Sequence, residues 1–73
     1  MKTTEYCEQK LVERPEVERE WCKRVIKNPI REEVQSDGLR FWGIIPECSN
    51  KALRVVTLED RETMHNAFFD RNF

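Results

Sequence analysis

The residues of this chain best suited to chemistry lie in its last third, Leu53-Arg-Val-Val-Thr-Leu-Glu-Asp-Arg-Glu-Thr-Met-His-Asn-Ala-Phe-Phe-Asp-Arg71, which holds the only histidine, His65. An imidazole ordinarily titrates near neutrality and can act as a general acid or base at working pH. A guanidinium binds phosphate through paired donors and neutralises charge developing on its oxygens. His65 with Arg54 is therefore a minimal kit for RNA cleavage, in which the 2′-hydroxyl attacks the phosphate and no metal or protein nucleophile is needed. Arg40 and Arg71 are further phosphate-binding candidates. The plainer alternative makes His65 an ordinary strand residue and Arg54 a rim charge, so these residues leave open whether the chain is an enzyme.

The pairing depends on strand register. With Asp60-Arg61 as a two-residue loop, Leu58 opposes Thr63, Val56 opposes His65, Arg54 opposes Ala67 and Leu53 opposes Phe68. Side chains alternate along a strand. Arg54, Val56, Leu58, His65, Ala67 and Phe69 then share one face, and Leu53, Val55, Thr57, Met64, Asn66 and Phe68 the other. Extended across the Pro46–Lys51 loop, this register adds Phe41, Gly43 and Ile45 to the His65 face. Gly43 would lie opposite Arg54 and leave room for a substrate. A slip of one residue would undo the grouping.

The rest of the chain must position that hairpin. Residues 4–13 predict a short helix with Cys7 and Leu11 on one stripe and Thr3 or Thr4 as cap, an N-terminal strand being the rival. Residues 15–27 predict a second helix with Pro15 at its first position. Glu16, Glu18 and Glu20 suit its N-terminal end, and Lys23, Arg24 and Lys27 its C-terminal end. Val17, Trp21, Cys22, Val25 and Ile26 form one apolar stripe. Asn28 is expected as a left-handed stop before Pro29. The period then changes to two, with strands over 30–36, 39–45, 52–58 and 62–69. The expected fold is a single α+β domain over 1–73, with two N-terminal helices on one face of a three- to four-stranded antiparallel meander.

Composition narrows the partners. The chain has 73 residues and net charge −1. Eight Lys/Arg face eight Glu in residues 1–36, and five face six Asp/Glu in 37–73, so neither half carries the basic field of a dedicated nucleic-acid binder. A charged fraction of 37% against 38% hydrophobic is a thin core for a domain this small, and a homodimer or protein partner would add stability. Cys7, Cys22 and Cys48 are odd in number and widely spaced, with no metal-ligand pattern and no disulfide framework. A Cys48 thiolate near His65 is a weaker nucleophile candidate. With no apolar run long enough to span a membrane, the expectation is a reduced, cytoplasmic protein. Lys23–Arg31 could bind phosphate or simply complement a helix end, and Trp42 is either core or a stacking platform for a base. Phe69 and Phe73, if exposed, would mark a protein interface.

Five segments carry a family likeness: Arg14-Pro15-Glu16-Val17, Asn28-Pro29-Ile30, Gly38-Leu-Arg-Phe-Trp-Gly43, Leu53-Arg-Val-Val56 and Thr63-Met-His-Asn-Ala-Phe68. In order and character they resemble the RelE-like toxin superfamily, and more closely the small BrnT-like domains of bacteria. That resemblance implies a compact α+β fold, ribonuclease activity without a cofactor, RNA as substrate and neutralisation by an antitoxin protein. By position it implies a catalytic role for His65 and phosphate binding by Arg54. Such toxins are usually basic, and this chain is slightly acidic. The second expectation, from a different class, is a non-catalytic interaction module that uses the Arg54/Val56/Leu58/Phe69 face.

Overall fold

The computed structural model describes residues 2–73. Its elements are β1 (Lys2–Thr3), α1 (Glu5–Glu13), α2 (Arg19–Lys27), β2 (Arg31–Gln35), β3 (Gly38–Ile45), a 3₁₀ turn (Pro46–Cys48), β4 (Lys51–Thr57) and β5 (Thr63–Phe69). The five strands lie in the order β1-β5-β4-β3-β2. The sheet is mixed: β1 runs parallel to β5, and the other neighbours are antiparallel. This corrects the expected three- to four-stranded antiparallel meander. Within residues 4–13 the helix forms and the rival strand does not, while the extra strand β1 lies just before that segment. Lys2 and Thr3 pair with Thr63 and Met64 before the chain turns into α1.

Local chemistry sets the element ends. Thr4 caps α1, its hydroxyl accepting from the Cys7 N–H at 3.1 Å. The helix stops at Glu13 because Arg14 precedes a proline and is pushed out of the helical region, to φ −125°. Pro15 opens a turn instead of α2, since the Val17 N–H bonds the Arg14 carbonyl at 3.0 Å. The second helix therefore begins four residues later than expected, at Arg19. Asn28 lies outside the helical region, at φ −144° and ψ 66°, and is not left-handed. Pro29 imposes the same restriction on it that Pro15 imposes on Arg14.

Both helices cover one face of the sheet. Cys7, Val17, Cys22 and Val25 pack there against Leu39, Phe41, Ile45, Leu53, Val55, Met64 and Ala67. Each fully buried aliphatic side chain contributes about 1.5–3 kcal/mol before chain entropy is counted. Gly38 ends the β2–β3 hairpin at φ +151°, where an added Cβ would lie 2.2 Å from the Thr57 carbonyl oxygen. The loop between β4 and β5 is longer than two residues. Leu58 does face Thr63, its N–H donating at 2.9 Å, and Arg61 takes φ +62°. The Asp60 carboxylate pins the loop by accepting from the N–H groups of Glu62 and Thr63.

Candidate binding site on the helix-free face

The register holds as expected from Leu58 through Thr57, which pairs with Met64, and then breaks. Val56 pairs with Asn66, so His65 is an extra residue on β5. Such a bulge advances the following residues by one and exchanges their faces. Arg54 consequently pairs with Phe68, and Leu53 with Phe69. Ala67 is buried on the helix side and Phe69 packs against that core, while Asn66 and Phe68 join Arg54 on the helix-free face. On β3 the partner of Arg54 is Trp42, not Gly43.

One cross-strand row follows from these pairings. Arg31 on β2 pairs with Trp42 on β3, Trp42 with Arg54 on β4, and Arg54 with Phe68 on β5. Cations and rings alternate along it. The Arg31 guanidinium lies 5.1 Å from the Trp42 ring centre, and Arg54 lies 5.4 Å from Trp42 and 5.2 Å from Phe68. Arg14 ends the row, 5.6 Å from Phe68. It also donates to Asn66 Oδ1 at 2.7 Å and to the Ala67 carbonyl at 3.2 Å, covering the β5 edge beyond the reach of β1. Each cation–ring contact stabilises by about 0.5–1 kcal/mol when exposed and more when desolvated. Arg54 Nε is buried without a hydrogen-bond partner, the only such side-chain nitrogen or oxygen among the described residues.

Charge is sorted between the two faces. Five of the six ion pairs among the described residues lie on the helical side or at its margins: Arg19–Glu8, Lys10–Glu13, Lys23–Glu20, Arg24–Glu47 and Arg61–Glu32. The Lys23–Arg31 run is thus partly spent on internal pairs. On the helix-free face, among the described residues, only Arg31 is paired, with Glu33. Arg14, Arg40, Arg54 and Arg71 take part in none of these ion pairs. Asp70 is held by the Trp42 indole, whose Nε1 donates to it at 3.0 Å. That bond, with a second from the Asn72 N–H, keeps its carboxyl below the usual carboxylate range. At the Arg14 end lies a groove of about 520 Å³ lined by the cations Arg14, Lys51 and Arg71, the carboxylates Glu16 and Asp70, and the apolar Ala52, Phe68 and Phe69.

The predicted site residues separate on this frame. His65 is half-buried at the bulge, hydrogen-bonded through Nδ1 to the Thr4 hydroxyl at 3.0 Å and stacked on Tyr6 at 5.0 Å. Arg54 is committed to Trp42 and Phe68, and no hydrogen bond joins it to His65 among the described residues. Arg40 pairs with Val56 and lies on the Arg54 face, and Arg71 lines the groove. Gly43 is on the opposite side, against α2, where an added Cβ would meet Val25 Cγ2 at 2.8 Å. Its missing side chain makes room for a helix and not for a substrate. Phe69 packs on Trp21 at 6.3 Å and leaves the face on which it was expected.

The bulge on β5 brings Phe68, and with it Arg14, into the row, whereas Arg31 joins through the β2–β3 and β3–β4 registers, which place Trp42 and not Gly43 beside Arg54. Trp42 unites the two roles weighed for it: it is 5% exposed yet sits on the helix-free face. The arrangement presents oriented guanidinium groups over flat rings, a surface for anions and planar groups. No cluster of three or more His, Cys, Asp or Glu side chains suited to a metal ion occurs among the described residues, and no helix is long and apolar enough to cross a membrane. No family model, curated protein or solved structure matches this chain.

Proposed function

We propose that this chain is a non-catalytic binding module that takes an anionic partner across the helix-free face of its sheet. The observation that carries the reading is the row Arg31–Trp42–Arg54–Phe68–Arg14. Stacking on rings removes rotamer freedom from the arginines before any partner arrives, which lowers the entropy cost of binding. Arg14, Arg40, Arg54 and Arg71 form no ion pair among the described residues, and Asp70, the carboxylate whose charge acts on Arg54 and Arg31, is hydrogen-bonded to the Trp42 indole, so phosphate, sulfate or carboxylate groups can pair with them.

Immobilised heparin tests this with a defined polyanion. Retention at low ionic strength should fall steeply with salt. Arg54→Ala and Arg40→Glu should each elute earlier, while Lys23→Glu on the helical side should elute as the parent does. Absence of retention at low salt, or a larger effect of Lys23→Glu than of the face variants, would refute the reading. The ribonuclease reading needs His65 and Arg54 to act on one phosphate, and their side chains serve separate neighbours. It keeps its own test: growth arrest on expression of the chain alone, relieved by His65→Ala.

A further inference from the structure

Trp42 carries a second, half-exposed ring. Phe73 stacks on it at 6.1 Å between centres and 22° between planes, and Phe73 is itself 48% exposed. The segment that brings it there is hinged at Asp70, whose N–H donates to the Ala52 carbonyl and whose carboxylate holds both the Trp42 indole and the Asn72 N–H. Arg71, Asn72 and Phe73 are exposed beyond that hinge. The Phe73 ring therefore occupies a stacking position without being part of the core. Arg31 and Arg54 flank the same indole, and Arg14 continues the cationic row past Phe68. From β2 to β5 the row crosses three strand spacings, roughly 14 Å.

We propose that this face binds single-stranded nucleic acid, one base replacing Phe73 on Trp42 while Arg14 and Arg54, and Arg31 in exchange for its Glu33 partner, take the phosphates. The proposal rests on the binding-module reading and adds the class of partner. A single strand offers flat bases and regularly spaced phosphates together, which matches alternating rings and guanidinium groups. A duplex hides its base faces within the stack. An acidic polypeptide would satisfy the arginines but brings no planar group for the place that Phe73 fills.

The test compares three polyanions: a short oligouridine, an abasic sugar-phosphate strand of the same length, and polyglutamate. Binding is followed by the Trp42 indole N–H resonance, assigned with Trp21→Phe. The oligouridine should shift that resonance and bind about tenfold more tightly than the abasic strand. Phe73→Ala should tighten oligouridine binding several-fold and leave the abasic strand unaffected, because only a base competes with the ring. Arg54→Ala should weaken binding, and Arg54→Lys, which keeps the charge but loses the planar fork, should weaken it in part. Equal affinity for oligouridine and the abasic strand, or tighter binding of polyglutamate, would overturn the nucleic-acid proposal while leaving an anion-binding module. Failure of all three to bind would overturn both.

Discussion

At the scale of single residues, His65 is a structural joint. The Thr4 hydroxyl accepts from the Cys7 N–H and reaches His65 Nδ1, so one side chain both caps α1 and holds the bulge of β5. His65→Ala removes that hydrogen bond and the stack on Tyr6, each contributing about 0.5–1.5 kcal/mol. The expected loss is roughly 1–3 kcal/mol in the urea unfolding free energy, and an unchanged midpoint would show that the ring holds nothing together. The cysteines divide in a related way. Burial, reinforced by the neighbouring Cys7, pushes the Cys22 thiol up to about 12, and burial likewise raises Cys7. Both are fully buried, whereas Cys48 is half-buried in the 3₁₀ turn. Thiolate is the reactive form. A disulfide reagent should therefore modify Cys48 first and reach Cys7 and Cys22 only on unfolding, a pattern read by intact-mass spectrometry. Early modification of Cys22 would contradict the packing of α2 described above.

At the scale of elements, α2 approaches the sheet where β3 has no side chain. Gly43→Ala would drive a methyl into the short, branched Val25, which cannot swing aside as a long side chain can. Overpacking of this kind typically costs about 1–3 kcal/mol. Val25→Ala leaves a cavity by itself, but combined with Gly43→Ala it should cost less than the sum of the two, a coupling that a double-mutant cycle measures. Strict additivity would place the helix elsewhere. This contact also shows what the amino-acid pattern could reveal. The change of period after Pro29 marked two helices followed by strands, and the apolar stripe from Val17 to Ile26 identified the covering face of α2. Pro15 pointed to the wrong helix start because a proline opens a turn as readily as a helix. A two-residue β1 is too short to show alternation, and its parallel partner lies some sixty residues away. The bulge left no mark in Thr63–Phe69, whose regular ladder reads equally well in one register throughout. That one inserted residue moved Phe68 beside Arg54 and took Phe69 away, and the β3–β4 register put Trp42 where Gly43 was expected, so Arg54, Arg40 and Arg71 were legible as candidates and the row that unites Arg54 with Arg31, Trp42, Phe68 and Arg14 was not.

At the scale of the whole molecule, a net charge of −1 conceals two different surfaces. Carboxylates are spent tying the helical side together. Hydrogen bonds from Arg19, with a further one from Thr3, hold Glu8 at a pKa of about 2 and join α1 to the start of α2. Arg24 holds Glu47 at about 2 and joins α2 to the 3₁₀ turn, while Thr63 and the Glu62 N–H hold Asp60 at about 2 in the β4–β5 loop. The ordinary values are 4.5 for Glu8 and Glu47 and 3.8 for Asp60. All three are depressed on folding, so between about pH 5 and pH 2 the unfolded chain binds more protons than the folded one. Their contribution is complete above that window and is lost as the pH falls through it. The urea midpoint should therefore be flat from neutrality down to about pH 5, then decline steadily toward pH 2. Glu8→Gln, Glu47→Gln and Asp60→Asn should each lower the neutral midpoint and make the decline shallower. Because these groups are exposed, added salt should blunt the effect. A midpoint that rises on acidification would mean that the carboxylates repel one another more than they bind their partners. Asp70 belongs to the other surface and titrates in the same direction, since its carboxyl is lowered chiefly by the Trp42 indole. Acid should thus loosen the hinge of Phe73 along with the ties of the helical layer, and a change in the Trp42 indole N–H resonance below about pH 4 would report it.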